Sequence, residues 1–339
     1  MGALVRKLFY LLSPLLMILL FYLVCDPFEV LYRYDRYYRD PVVIYNWDSN
    51  HTETLRLNYP RYRFDSFIFG SSRSKAFMPE DWSPFIGSQQ IFHYSALAET
   101  LFGIERKIAF IDRSGMIIRN CLLVVDRELL AKTGNNTGHL FIKHPDLSGE
   151  SRVKFHLTFF QAFMNPQFLG HYLLHKMNFR ITSPLFYDEK SNRYDPIYGD
   201  MSFLDAERKL VANPEGFFPG QKDSFYVRPA NQNFAPPVIG ALQSKLLTNM
   251  AVILKAHKAA VTVVISPLYD QVPMNSADVE ALRQLFGRNQ VFDFSGENRF
   301  TRDLHNYYEP SHFRPHVARA VLEEIYHQSR RTTDKGIHQ

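Results

Sequence analysis

From Leu8 to Cys25 the chain reads LFYLLSPLLMILLFYLVC, eighteen residues without a charge. At about 1.5 Å per residue, a helix of this length measures roughly 27 Å, enough to cross a hydrocarbon core. Arg6 and Lys7 precede the stretch, and Asp26 and Glu29 follow it. That order favours a cytoplasmic N-terminus, although Arg33, Arg36 and Arg39 reduce the asymmetry. A cleaved signal would carry a shorter apolar region and a small-residue cleavage site, and Val24, Cys25, Asp26 and Pro27 offer none. The expectation is a cytoplasmic tip and transmembrane anchor over residues 1–28, with the bulk of the chain on the far side of the membrane.

The remaining residues suffice for one α/β domain with an insertion. Hydrophobic residues make up 46% of the 339 and charged ones 22%, an ordinary globular balance that excludes wholesale disorder. The net charge is +5, but Lys and Arg are scattered, so no nucleic-acid-binding stripe is present. The two cysteines, Cys25 and Cys121, form no disulfide framework, CxxC pair or zinc spacing, and no metal or cofactor is expected.

Residues 29–60 are rich in Tyr, Arg and Asp without a clear period and read as a juxtamembrane stem. A folded domain is expected over 61–330, with a flexible tail at 331–339. Short apolar runs at 67–69, 91–94, 121–125, 261–265 and 291–294 read as buried strands. Helical patterns fall at about 99–113, 238–257, 278–286 and 315–328, and Pro315 suits a first turn. Between about 130 and 236 the alternation lapses into Asn, Pro, Gly, Tyr and Phe, which marks an insertion, with a helix expected around 155–164. Strands alternating with helices predict a mostly parallel sheet covered on both faces, with reactive groups at the carboxyl ends of the strands.

Two motifs fall at such ends. FIFGSSRS, residues 67–74, places Ser72 just past a strand and the Gly70 turn, where following backbone N–H groups could meet a developing oxyanion. NYYEPSHFRPHVA, residues 306–318, places His312 three residues after Glu309, between the last strand and the last helix. A histidine there could take the serine proton and return it to a leaving group.

With Gly70, Ser71 and Ser72 in the first motif and Glu309, Pro310, Ser311 and His312 in the second, the chain resembles the SGNH (GDSL-like) hydrolases. The resemblance covers 64–125 and 261–322. It implies a flavodoxin-like three-layer sandwich of about five parallel strands and a triad of Ser72, His312 and Glu309. Three departures stand out: Ser71 replaces the usual Asp, Glu309 replaces the Asp of the triad, and the family's oxyanion Gly and Asn lack a match in HYSALAET (93–100) and VVDRE (124–128). Ser95 is then a candidate second oxyanion donor, Arg73 a candidate ligand for an anionic substrate group, and Asp126 a candidate neighbour of the site.

The membrane-anchored branch implies a single-pass protein of the bacterial cytoplasmic membrane, its domain facing the periplasm or exterior. An esterase or O-acyltransferase acting on an envelope polysaccharide follows, with an envelope glycan or acyl donor as ligand and a multi-spanning O-acyltransferase as possible partner. Two alternatives stay open: an inactive accessory protein on the same fold, and a sugar-binding module built on the aromatic insertion.

Overall fold

The computed structural model describes residues 2–40, 43–179, 193–220, 225–230 and 232–336. Five strands form an all-parallel sheet: β1 (Ser66–Phe69), β2 (Ile91–His93), β3 (Asn120–Val125), β4 (Ala260–Ile265) and β5 (Val291–Asp293). Their spatial order is β2-β1-β3-β4-β5, the doubly wound order of flavodoxin-like folds. Register is continuous from Ser66↔Asn120 through Asn120↔Ala260 to Val263↔Val291.

The apolar runs are strands because both faces are covered. Phe67, Phe69, Cys121, Leu123, Val125, Val263 and Ile265 point into one core, with residues from α2 (Trp47–Tyr62), α4 (Leu101–Arg113), α8 (Ala241–Ala256) and α9 (Ser276–Phe286). Ile68, Leu122, Val124 and Val264 point into the other, against α3 (Pro79–Ile86) and α10 (Pro315–Gly336). This period-two division of side chains between two helical layers makes the three-layer sandwich.

The segment read as a stem folds differently. From Trp47 the chain is helix α2, in which Trp47, Asp48, Ser49, Asn50, His51, Thr52, Thr54 and Leu55 are buried. Most of these are polar, so the helix leaves no apolar stripe in the sequence. Its burial rests on hydrogen bonds instead: Thr52 bonds the Tyr94 hydroxyl at 2.7 Å, and Asp48 accepts from the Lys143 ammonium at 2.9 Å. Before the helix, Asp26 accepts from the N–H groups of Val30 and Leu31, and Glu29 from those of Tyr38 and Arg39.

The insertion contains a helical hairpin, α6 (Arg152–Phe163) and α7 (Pro166–Lys176), and a short antiparallel pair, Arg193–Tyr194 with Met201–Ser202. Its residues 180–192, 221–224 and 231 lie outside the described residues. The last helix runs on to Gly336, past the expected end near 328 and into the expected tail, of which 337–339 lie outside the described residues.

At the N-terminus, α1 (Gly2–Cys25) contains a twenty-residue stretch, Arg6–Cys25, long and apolar enough to cross a membrane, and almost none of it is buried within the protein. Its last turns pack on the hairpin.

Candidate active site

The sheet order reverses between β1 and β3, and the crevice beyond their carboxyl ends is where a doubly wound fold places its ligands. β1 delivers Ser72 there. At Gly70 the chain turns so tightly that a Cβ would lie 2.7 Å from the Ser74 Cβ and 2.8 Å from the Val124 carbonyl oxygen, so only glycine fits. Ser71 then caps a short 3₁₀ turn, Ser72–Ala76, that starts with the serine.

The partner arrives from the far end of the sequence on a small hairpin, β6 (Tyr307–Glu309) and β7 (His312–Phe313), in which Glu309 pairs with His312. Nε2 of His312 lies 2.8 Å from Oγ of Ser72, and Nδ1 hydrogen-bonds the Glu309 carboxylate. A carboxylate only accepts, so Nδ1 carries the proton and Nε2 presents its lone pair to the serine hydroxyl. Burial raises the Glu309 carboxyl pKa. The hydrogen bond and charge of His312, the Ser311 N–H and the nearby Arg73 outweigh that effect and hold it below the ordinary glutamate value. Glu309 is therefore the anion that orients the imidazole.

Three other residues singled out in the sequence have structural work here. Arg73 donates to Asp126 at 2.8 Å and to Glu128 at 2.9 Å, and its Nε donates to the Ser311 carbonyl at 3.3 Å. Its fork is occupied, so it ties the serine turn to the third strand's end and to the loop of His312, and does not stand free for a substrate anion. Asp126 is near the site, as the partner of Arg73, and also caps α5 (Arg127–Ala131) by accepting from the Glu128 and Leu129 N–H groups. Ser95 is buried, and its carbonyl receives His51 Nδ1 at 2.9 Å and Lys107 Nζ at 3.2 Å. Among the described residues no hydrogen bond links Ser95 to Ser72, His312 or Glu309. The loop does reach the serine turn, where the Ala96 N–H donates to the Gly70 carbonyl at 3.3 Å.

Sequence reasoning missed the layer beneath the serine. Ser74 Oγ donates to the Ser71 carbonyl at 2.8 Å and lies 2.9 Å from Nε2 of His93, whose Nδ1 is 2.9 Å from Asp200. All three side chains are buried, which makes them a brace for the turn and not a second nucleophile. Their separation in sequence hides them; only the final Ser of GSSRS and the His of HYS stood near recognised motifs. Lys75 is buried over the rings of Trp47 and Phe203. Burial, partly offset by Asp200, pushes its pKa down to about 7. Phe203 also packs on the His312 ring at 4.8 Å between centroids. A cavity of about 360 Å³, lined by Pro79, Asp200, Phe203, Glu207, Tyr308 and Arg319 among others, opens beside that ring. Among the described residues no cluster of His, Cys, Asp or Glu could hold a metal ion.

No protein-family model matches the chain, and no curated protein matches it significantly. The arrangement itself is a serine hydroxyl, an imidazole and a carboxylate in one hydrogen-bonded line at the switch point of a doubly wound sheet.

Proposed function

We propose that the chain is a membrane-anchored serine esterase or O-acyltransferase that works on a cell-envelope polysaccharide outside the cytoplasm. The observation that carries the reading is the hydrogen-bonded line Ser72–His312–Glu309 at the carboxyl end of β1. Ser72 Oγ attacks an acyl carbonyl as its proton passes to Nε2 of His312, and Glu309 stabilises the imidazolium. The oxyanion faces main-chain N–H groups of the 3₁₀ turn. Collapse of the tetrahedral adduct transfers the Nε2 proton to the leaving alcohol and leaves an acyl-serine. A water or sugar hydroxyl, deprotonated by the same nitrogen, then takes the acyl group, and the Nε2 proton returns to Ser72 Oγ as the ester bond to it breaks. Water gives hydrolysis and a sugar gives transfer.

A second reading has its own support. Arg73 and Asp126 bond one another at the end of β3, where SGNH enzymes place an oxyanion asparagine. A chain without that donor suits an inactive accessory protein that partners a multi-spanning O-acyltransferase. The two readings separate on a fluorophosphonate probe. The full chain in detergent should label at Ser72, and Ser72→Ala should abolish labelling and lower ester turnover by at least about 10³-fold. An unlabelled wild-type protein that is folded and still supports glycan acylation in cells would rule out the enzyme reading and leave the accessory one.

A further inference from the structure

We propose that the α6–α7 hairpin is sunk into the surface of the same bilayer that α1 crosses, so that the catalytic domain is held on the membrane by two elements. This inference rests on the reading of α1 as an anchor but not on the chemistry of Ser72. The uncharged stretch Leu8–Cys25 is about 27 Å long as a helix, while a hydrocarbon core is about 30 Å thick. None of it can be spared to stand above the bilayer, which puts Cys25 at the edge of the core. Yet the last turns of that stretch touch the hairpin. Tyr22 packs on Phe160 and Phe163 at 5.3 and 5.0 Å, and Phe21 on Phe163 and Tyr172 at 6.2 Å each. Phe21 lies four residues before Cys25, about 6 Å below the edge. Helices that touch it lie at the depth of an interfacial amphipathic helix, roughly 5–10 Å into the boundary region.

The hairpin's surface matches that placement. On α6, Phe155, Phe159 and Phe163 face the protein, while Val153 and Leu157 are 76% and 50% exposed. On α7, Phe168 and Tyr172 face inward, while Leu173, Leu174 and, just beyond, Met177 and Phe179 are exposed. An apolar face of this kind in water is costly, and it belongs to the helices that the last turns of α1 touch. Polar groups gather immediately past Cys25, where Asp26, Glu29, Arg39, Asp40, His175 and Lys176 line a cavity of about 390 Å³. That is the level at which head groups begin.

Spin labels on the full chain in lipid nanodiscs test this. In a Cys25→Ser background, with Cys121 buried and unreactive, cysteines are placed at Leu157 and Leu174, at Leu16 on the anchor, and at Gln284 on the exposed side of α9. Collision with oxygen, which partitions into lipid, is compared with collision with a water-soluble nickel chelate. Labels at 157 and 174 should favour oxygen several-fold over nickel, as the Leu16 label does. If they follow Gln284 and favour nickel while Leu16 favours oxygen, the hairpin is in water and the proposal is overturned, though the anchor stands. If both reagents are excluded, a protein surface covers the hairpin and the proposal is again overturned. A Leu16 label in water removes the anchor and this proposal together, with fluorophosphonate labelling of Ser72 left to decide the chemistry.

Discussion

Glu309 and His312 meet across a two-strand hairpin with only Pro310 and Ser311 between them. The acid therefore sets the imidazole's tautomer and angle locally, without help from the sheet. Replacing it with an amide keeps the shape but lets Nδ1 lose its proton, so Glu309→Gln should lower turnover by about 10³–10⁴-fold while leaving substrate affinity nearly unchanged, as steady-state kinetics will show. Lys75 makes a pH-dependent contribution beside the site. Its ammonium ordinarily titrates near 10.5, and burial lowers that to about 7. Between those values the unfolded chain binds a proton that the folded one has released, so folding stability rises with pH from about 7 towards 10.5. Below pH 7 both states are protonated, and the full cost of a buried charge remains. Lys75→Met should flatten this slope and raise the urea midpoint most at about pH 6 to 7, as denaturation curves at about pH 6 and 9 will reveal.

Among the elements, those built on apolar runs were legible in the sequence. SFIF, and NCLLVV and AVTVVI past their first residues, are buried on both faces, and a continuous apolar run flanked by turns is how such strands announce themselves. The serine motif was legible for the same reason, since it follows a strand that could be placed; the short hairpin that carries Glu309 and His312 reads as a loop in the sequence. Helix α2 was not legible. Its first turns are buried all round, Asp48, Ser49, Asn50, His51 and Thr52 included, and burial held by specific hydrogen bonds carries no hydrophobic period. The Arg73 clamp was not legible because its two carboxylate acceptors, Asp126 and Glu128, lie more than fifty residues away. That clamp joins the serine turn to α5, and Asp126 serves both as its anchor and as the helix cap. Asp126→Ala should destabilise the protein by about 3 kcal/mol, as a lost cap adds to a guanidinium left without its buried partner. Chemical denaturation will measure this, and Asp126→Asn, which retains the cap, should recover part of the loss.

At the scale of the whole molecule, four buried charges join parts of the chain that the sequence left separate. Asp48 of α2, Glu99 and Lys107 at the start and middle of the α4 region, and Lys143 of the insertion form a closed ring of ion pairs, with side chains no more than 1% exposed. Burial alone would raise the Asp48 carboxyl pKa, but Lys143 and Lys107 more than reverse that and hold it well below the usual range. Two positive and two negative charges balance, so the ring is stable only when complete. Lys143→Met should cost about 3–5 kcal/mol, seen as a lower unfolding midpoint, because it strands two carboxylates with one ammonium. The insertion is thereby fastened to the first helix after α1 and to the sheet's second crossover.

Ser72 and His312 are 240 positions apart, whereas His312 and Glu309 are three. During synthesis Ser72 is made long before His312, whose hairpin follows the last strand of the sheet, Val291–Asp293. On the proposed enzyme reading, emergence of the hairpin that carries Glu309 and His312 is thus a maturation step. On that same reading, a product truncated before Glu309 keeps Ser72 but has no means of arming it.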